Sequence, residues 1–312
     1  MDNISIIEVF ISGRRIGRMA LTPEGMCGFE YDADWIQTGF SISPFYLPLK
    51  SGLIMAKRDP FGGNFGVFDD SLPDGWGNLL LDRYLQERGI DPYKLNILER
   101  LSLIGSTGRG ALEYYPDKSV VSDAEYLNFD SLAKEVAKIL ESKESKGSVD
   151  LLYKYGGSSG GARPKIFTKV DGREWLVKFK ATNDPADVGE IEYNYSLLAH
   201  DCGIRMAETR LFDNRYFGVE RFDRVPQGKI HTVSAAGLLH ANYRIPSLDY
   251  SILLKLTLNL TKDMEQVAEM FRLMVFNVLI SNRDDHAKNL SFQWANGAWK
   301  LSPAYDLLPS NG

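Results

Sequence analysis

The sequence has few cysteines, no long apolar run and no basic amino-terminal leader, and each absence excludes a class of protein. Its 2 cysteines, Cys27 and Cys202, lie far apart and outside any CxxC spacing. They therefore argue against a disulfide framework and against a zinc site, and they fit a reducing cytoplasm. No segment approaches the ~20 apolar residues of a membrane span. We expect a cytoplasmic protein with no membrane association.

Positive charge is also in short supply. The 312 residues include 36 basic and 41 acidic side chains, for a net charge of -5 and a pI near 5.5. A chain of this balance has no overall positive field with which to neutralise nucleic-acid phosphates. We therefore expect no direct contact with nucleic acid.

The first half of the chain predicts a mixed α/β subdomain over residues 1–115. A β-branched run at residues 4–11 is followed by a turn and a second apolar run, which together indicate a hairpin. Residues 79–86 have helical apolar spacing. Residues 116–148 are polar and charge-rich, and they predict a linker that contains an amphipathic helix from Phe129 to Lys146.

The second half predicts a β-rich small lobe at residues 149–225 and a helical lobe at residues 226–312. In the small lobe, two strands flank Asp171-Gly172, and a helix spans residues 190–200. The clearest later helix runs from Asp263 to Ile280, capped by Asp263 with Gln266. One predicted face of this helix carries Met264, Val267, Ala268, Phe271, Val275 and Val278. The predicted fold class is thus α+β: an amino-terminal α/β subdomain followed by a bilobal core like that of protein kinases.

The most informative motif is N-R-D-D-H-A-K-N. It places Asp284 and Asn289 five positions apart, and Asp306 follows seventeen residues later. In protein kinases an Asp orients the attacking hydroxyl, an Asn five residues on holds a metal, and a later Asp grips Mg²⁺. The alternative is a structural turn rich in Asn and Asp, with Asp306 as a helix cap.

Lys178 and Glu192 form a second candidate pair. A lysine on the apolar strand W-L-V-K-F needs a counter-charge if its neighbours are buried, and Glu192 follows in the next predicted helix. The alternative is an edge strand with a lysine that reaches solvent and a surface glutamate. Taken alone, the pair favours the alternative, but its order among the other motifs reverses that preference.

A glycine-rich run precedes the strand pair that ends at Lys178. Residues 156–165 read G-G-S-S-G-G-A-R-P-K, and such glycines let backbone amides approach phosphate oxygens. The run lacks the Walker A order, and a flexible linker would have the same composition. Residues 220–224, E-R-F-D-R, follow the last predicted strand, where extended backbone could meet an adenine edge.

Together these runs resemble the HipA family of bacterial serine/threonine kinases, which are toxins of toxin–antitoxin systems. The resemblance rests on the runs S-S-G-G-A-R-P-K, E-R-F-D-R, N-R-D-D-H-A-K-N and S-P-A-Y-D and on the strand lysine. The run D-D-S-L-P-D at residues 69–74 and residues 105–112 resemble the family's amino-terminal subdomain. In that family the helical lobe usually extends well past the position of Asp306, so the resemblance implies a shortened lobe or a fragment.

The resemblance implies a role for each matching position. Asp284 would be the catalytic residue, Lys178 would hold ATP phosphates with Glu192 as its partner, and Ser158 would be autophosphorylated, with Ser159 as the alternative. Asn289 and Asp306 would bind Mg²⁺. Glu220 and Phe222 would contact adenine, and Asp223 would contact the ribose. The phosphate loop would comprise Ser158, Ser159, Gly160 and Gly161, and the same site would be lined by His286 and Tyr305.

The family also implies partners. These are a helix-turn-helix antitoxin of the HipB type and a protein substrate, for which the family's target class is aminoacyl-tRNA synthetases. Two other functions stay open. One is a weakly active or inactive kinase fold that binds an antitoxin and assists operon repression. The other is a small-molecule kinase of related architecture.

Overall fold

The structure is a computed structural model that describes residues 4–120, 128–141, 146–245 and 248–310. Its strands are β1 (Ile6–Ile11), β2 (Arg14–Leu21), β3 (Cys27–Tyr31), β4 (Ile54–Met55), β5 (Leu112–Tyr115), β6 (Lys165–Val170), β7 (Arg173–Lys178), β8 (Thr209–Phe212), β9 (Tyr216–Glu220), β10 (Arg224–Val225), β11 (Gly228–Lys229), β12 (His231–Ser234), β13 (Ser291–Ala295) and β14 (Ala298–Leu301). Its helices are α1 (Ala33–Thr38), α2 (Gly66–Asp69), α3 (Gly75–Gln86), α4 (Ile97–Ile104), α5 (Phe129–Leu140), α6 (Lys146–Gly156), α7 (Val188–Asp201), α8 (Ala235–Leu239), α9 (Tyr250–Thr261) and α10 (Met264–Leu279).

The chain divides into two compact units that are not continuous in sequence. The first unit comprises Met1–Leu72, Asn96–Ser119 and Phe222–Gly312, and the second comprises Pro73–Leu95 and Val120–Arg221. The α+β fold class is confirmed. The domain boundaries that the sequence suggests stay a prediction.

The first unit contains an antiparallel sheet in the order β4-β3-β2-β1-β5. Ile7, Val9 and Ile11 are buried at alternate positions of β1, as expected for a strand with one face on the core. The predicted hairpin between β1 and β2 is confirmed, because Ile11 pairs with Arg14 across the turn. The β-branched run and the turn after it therefore predicted this strand pair, although Ile6 and Phe10 interrupt the apolar alternation.

The same unit contains a second sheet, in the order β12-β13-β14, together with α8, α9 and α10. The sequence predicted a helical region after Pro226, and these three strands correct that prediction. The Asp70 carboxylate accepts hydrogen bonds from the backbone N–H of Ser234 at 2.6 Å and from its hydroxyl at 2.8 Å. An amino-terminal residue thus supports the amino terminus of α8.

The predicted buried face of α10 is wrong. Met264, Phe271 and Val278 are 65%, 53% and 67% exposed. The residues that are buried lie on the opposite face: Met270, Leu273, Phe276 and Asn277. The helix carries apolar residues on both faces, so its periodicity could not choose between them.

The cap predicted for α10 is only partly correct. The Asp263 carboxylate does accept a hydrogen bond from the N–H of Glu265 at 2.8 Å. Gln266, by contrast, accepts one from the N–H of Leu301 at 2.9 Å and so connects the helix to β14. This side chain fixes a tertiary contact and does not form the reciprocal half of a capping box.

The second unit contains an antiparallel sheet in the order β6-β7-β9-β8. The hairpin predicted at Asp171-Gly172 is confirmed, and both residues have positive φ, 53° and 77°. This conformation suits a two-residue hairpin turn. α7 covers the predicted helix at residues 190–200 with a slightly longer span.

The amphipathic helix of the predicted linker is shorter than expected. α5 ends at Leu140, and a separate helix, α6, begins at Lys146. Residues 142–145, part of the predicted linker, lie outside the described residues. α6 ends at Gly156, so the glycine-rich run begins at a helix end. In the described part of the chain, no helix combines the length and apolar character that a membrane crossing requires.

Candidate functional site

Lys178 and Glu192 form a buried ion pair in the second unit. Lys178 is the last residue of β7, and its Nζ lies 2.5 Å from a carboxylate oxygen of Glu192 on α7. β7 pairs with both β6 and β9, so Lys178 is not on an edge strand and Glu192 is not on the surface. The alternative of a solvated pair is therefore wrong. A buried pair of this kind is costly to break, because the charge that remains would lose its nearest counter-charge.

Arg163 extends this pair. Its guanidinium lies 3.9 Å from Glu192 and 3.2 Å from Asp184. Asp184 in turn accepts a hydrogen bond from the N–H of Ala181 at 3.0 Å. An ion pair between Arg163 and Asp184 thus links the glycine-rich run to the segment between β7 and α7. No local feature of the sequence predicts this pair.

The glycine-rich run is held by its own unit and is not a free linker. Gly161 donates its N–H to the Asp74 carboxylate and accepts a hydrogen bond from the N–H of Trp76 at 3.0 Å. Lys165 donates to the carbonyl of Gly160 at 2.7 Å. Asp74 is a further residue that sequence analysis missed as part of this region, because it lies more than 80 positions away.

The two serines of the run differ in access. The hydroxyl of Ser159 donates to the carbonyl of Gly156 at 2.6 Å, and the residue is fully buried. Ser158 is half-buried. Of the two candidates for modification, Ser158 is therefore the more accessible.

Residues 220–224 are already engaged in hydrogen bonds and ion pairs. In the second unit, Glu220 lies 3.3 Å from Arg173. In the first unit, the carbonyl of Phe222 accepts a hydrogen bond from Gln293 at 3.1 Å. The Asp223 carboxylate is buried and accepts from the N–H of Gly110 at 2.8 Å and from Arg224 at 2.8 Å. The nucleotide roles expected for Glu220, Phe222 and Asp223 stay predictions.

The loop that carries Asp284 is a turn built by asparagine side chains. Asn282 accepts from the N–H of Asp284 at 3.1 Å, and the Asn289 amide donates to the carbonyl of Asp284 at 2.8 Å. The Asp284 carboxylate itself is 69% exposed. The turn named in the structural alternative is therefore present, and it leaves the Asp284 carboxylate exposed to solvent. The catalytic role of Asp284 stays a prediction.

Asp285 and His286 flank this carboxylate differently. Tyr250 donates its hydroxyl to Asp285 at 2.6 Å and accepts from Asn277 at 2.9 Å, and burial raises the pKa of Tyr250. Asp285 is thus linked by hydrogen bonds to α9 and α10, whereas the Asp284 carboxylate is exposed. His286 Nε2 lies 3.8 Å from the Asp284 carboxylate.

Asp306 has a backbone conformation that is uncommon for a residue with a side chain. Its φ is 59°, in the left-handed region that Asp and Asn visit more readily than other residues. Its carbonyl accepts from Asn282 at 3.3 Å, the same side chain that shapes the Asp284 turn. Asn282 thus connects the segments of Asp284 and Asp306 within the first unit.

Asn289 and Asp306 suit Mg²⁺ by chemistry. They offer a carboxamide oxygen and a carboxylate, and Mg²⁺ prefers oxygen ligands, keeps several waters and takes the rest from substrate phosphates. Across the described residues there is no cluster of three or more His, Cys, Asp or Glu side chains placed to hold a metal. Asn289 and Asp306 are oxygen ligands of the kind that Mg²⁺ takes from a protein when phosphates and water supply the others.

Taken together, the described elements define an α+β protein in which a strand lysine is paired with a helix glutamate and an exposed aspartate is presented by an asparagine-built turn. The family described as "HipA N-terminal domain" matches residues 7–115, and the one described as "HipA-like C-terminal domain" matches residues 157–312. The chain belongs to the HipA family.

Individual relatives agree with this membership. The chain is 24% identical to "Putative kinase Y4dM" of Sinorhizobium fredii over 99% of its own length and 78% of the relative. It is 28% identical to "Toxin YjjJ" of Escherichia coli over 49% of its length and 38% of that protein. A solved complex of HipA, HipB and operator DNA from Shewanella oneidensis has a HipA chain of similar fold, with a TM-score of 0.70 and 21% identity over 97% of this chain and 76% of that one.

Proposed function

We propose that this chain is a Mg²⁺- and ATP-dependent kinase that phosphorylates serine or threonine on a cytoplasmic protein. The observation that carries the proposal is the buried pair of Lys178 and Glu192, because a pair at this place on a strand and the following helix is a recurring part of kinase sites. The similarity to the Sinorhizobium relative described as a putative kinase also supports the proposal, because it covers nearly the whole chain.

In this proposal Lys178 holds nucleotide phosphates while Glu192 fixes its position. Lysine suits this role because its ammonium is a compact charge on a flexible stem. Arg163 stabilises Glu192 from a second side. The pair therefore keeps the ammonium at a fixed place before any nucleotide binds, and such positioning is a main source of rate in phosphoryl transfer.

Asp284 is the proposed catalytic residue. Its exposed carboxylate would accept a hydrogen bond from the substrate hydroxyl, orient the oxygen toward the γ-phosphorus and take up its proton. The new bond joins that oxygen to phosphorus as the bond to the bridging oxygen of ADP breaks. Mg²⁺, held by Asn289 and Asp306, would supply charge neutralisation at the phosphates.

Ser158 is the proposed site of autophosphorylation. Its partial exposure supports it over the buried Ser159. A phosphate there adds nearly two negative charges to a glycine-rich run that we propose to lie at ATP phosphates, so it would oppose nucleotide binding.

A second function is favoured by a specific observation, the solved relative in complex with HipB and operator DNA. We propose a helix-turn-helix antitoxin of the HipB type as a partner. If the chain is catalytically weak, this binding is its function. Co-purification with such a protein, together with no phosphate transfer by the isolated chain, would support this alternative.

Labelled ATP and cell lysate test the main proposal. We expect label on serine or threonine of a protein, located by mass spectrometry, with aminoacyl-tRNA synthetases as the first candidates. Asp284→Asn should remove the label, whereas Asp201→Asn, at an exposed position on α7, should not. A labelled small molecule with unmodified protein would instead support the small-molecule kinase.

A further inference from the structure

The hydroxyl of Tyr305 connects the two segments that carry the proposed metal ligands, Asn289 and Asp306. It lies 2.6 Å from the carbonyl of Lys288, which directly precedes Asn289, and Tyr305 itself directly precedes Asp306. A carbonyl cannot donate, so the single hydroxyl proton of Tyr305 goes to Lys288. This one bond therefore fixes the distance between the backbone of the Asn289 segment and that of the Asp306 segment.

Arg109, from the amino-terminal part of the chain, holds that hydroxyl from the other side. Its Nη2 lies 2.5 Å from the Tyr305 oxygen and 2.8 Å from the hydroxyl of Ser291. Ser291 and Tyr305 are 2.7 Å apart. Since the proton of Tyr305 is used at Lys288, Ser291 donates to Tyr305, and both hydroxyl oxygens accept from Arg109. The two hydroxyl protons and both N–H groups of Arg109 Nη2 then each have a defined acceptor.

The charge of Arg109 is held in place as well. Burial of its guanidinium opposes the charged form, but the Tyr305 hydroxyl and the carboxylates of Asp70 and Asp223 outweigh burial and raise the pKa of Arg109. Both carboxylates are themselves fixed by hydrogen bonds, Asp70 to Ser234 and Asp223 to the N–H of Gly110. Arg109 is therefore charged and has little freedom to move.

We propose that Arg109 is a positioning residue that sets the spacing of Asn289 and Asp306 through the hydroxyl of Tyr305, so that the amino-terminal part of the chain is needed for metal binding. This inference rests on the proposed function, in which those two residues hold Mg²⁺. Loss of Arg109 would leave the bond of Tyr305 to Lys288 but remove the cation that orients it. Loss of a residue that orients metal ligands costs about tenfold to a hundredfold in metal affinity.

A readout independent of catalysis tests the inference. Mn²⁺ binding in the presence of a non-hydrolysable ATP analogue is followed by electron paramagnetic resonance in the full chain. We expect Arg109→Met to weaken Mn²⁺ binding by about tenfold to a hundredfold. Binding of the analogue without metal should be unchanged, because Lys178 is untouched. Arg18→Met, at an exposed arginine of the same unit, is the control and should bind Mn²⁺ like the wild type.

A double-mutant cycle separates positioning from general destabilisation. Tyr305→Phe keeps the ring and removes only the hydroxyl, so it should weaken Mn²⁺ binding, and adding Arg109→Met should then have little further effect. Fully additive losses would mean that Arg109 does not act through Tyr305. If Arg109→Met fails to fold, Arg109→Lys, which keeps the charge but lacks the guanidinium fork, replaces it in the same cycle.

The outcomes distinguish this inference from the proposed function. Wild-type phosphate transfer with normal Mn²⁺ binding by Arg109→Met would overturn the inference and leave the function standing. Suppose instead that Arg109→Met binds Mn²⁺ more weakly than the wild type, and that the wild type transfers no phosphate. This result would support the inference and overturn the function. Absence of Mn²⁺ binding by the wild type with nucleotide would overturn the inference.

Discussion

The regions around Lys178 and Asp284 are built in different ways. Lys178 and Glu192 are 14 positions apart, on a strand and the helix that follows it, and they pair directly. The Asp284 turn is built by its own asparagines, and residues from distant parts of the chain hold it in place. Tyr250 donates a hydrogen bond to Asp285, and Arg109 acts through Tyr305, which donates to the carbonyl of Lys288. The first arrangement is stabilised by one strong pair, whereas the second depends on many moderate hydrogen bonds. Mutations around Lys178 should therefore affect mainly stability, and mutations around Asp284 should affect mainly the geometry of the site.

The largest expected effect on stability comes from breaking the buried pair. Lys178→Met removes the nearest counter-charge of the buried Glu192 carboxylate and leaves Arg163 at 3.9 Å, and loss of one partner of such a pair costs about 3–5 kcal/mol. Lys178→Met combined with Glu192→Leu should recover much of that loss, since no unpaired charge remains. Chemical denaturation of the three proteins measures both values. A single variant as stable as the wild type would show that the pair is not buried as described.

Acidification should destabilise the first unit. Burial lowers the pKa of His231 from 6.5 to about 4, so the folded state holds it neutral. Protonation then favours the unfolded chain, and the contribution is lost as pH falls from about 6.5 toward 4. At about pH 5 the loss is about 2 kcal/mol. Thermal unfolding at about pH 7 and pH 5 measures it.

The control for this pH dependence is His231→Gln, which cannot titrate. Its stability should change less between the two pH values than that of the wild type. His240 contributes in the same direction, because its Nε2 accepts a hydrogen bond from Gly66 at 3.0 Å and burial lowers its pKa to about 4. An equal pH response of wild type and His231→Gln would contradict the assignment.

A smaller effect on stability, with a clear effect on geometry, is expected for Asn282→Ala. This change removes the hydrogen bonds that link Asp284, Asn277 and Asp306, at a cost of about 1–3 kcal/mol. Phosphate transfer should fall more than nucleotide binding does. Steady-state kinetics and calorimetry measure the two, and equal losses in both would show that the turn does not position Asp284.

The smallest expected effect distinguishes the two serines of the glycine-rich run. Ser159→Ala removes one hydroxyl bond to Gly156 and should cost about 1 kcal/mol without removing a phosphorylation site. Ser158→Ala should abolish modification of the run. Intact-mass measurement after incubation with ATP decides, and modification that persists in Ser158→Ala would move the site elsewhere.

The sequence predicted the local features well. The two hairpins follow from Gly-containing turns between apolar runs, and α7 follows from its length and apolar spacing. The pairing of Lys178 with Glu192 follows from a strand and the helix after it, whereas the kinase roles read from the spacing of Asp284, Asn289 and Asp306 stay predictions. Residues whose neighbours in sequence decide their structure were therefore predictable.

Features that depend on distant partners were not predictable. The buried face of α10 was wrong because both faces are apolar and only packing against other elements chooses between them. Asp74 and Arg109 lie in runs that resemble the family's amino-terminal subdomain, but neither run indicates the distant residues that these side chains contact. β12 was missed for the same reason, since it pairs with β13 across more than 50 residues. The hairpin of β13 and β14 is different, because its turn at Asn296-Gly297 is a local signal that the sequence reading did not use.

The most direct test of the account compares nucleotide binding with phosphate transfer in two single variants. Calorimetry with Mg²⁺ and ATP, alongside transfer of labelled phosphate, is applied to Asp284→Asn and Lys178→Met. We expect Asp284→Asn to bind nucleotide like the wild type and to transfer no phosphate, and Lys178→Met to lose binding. Undiminished transfer by Asp284→Asn, or unchanged nucleotide affinity in Lys178→Met, would contradict the proposed site.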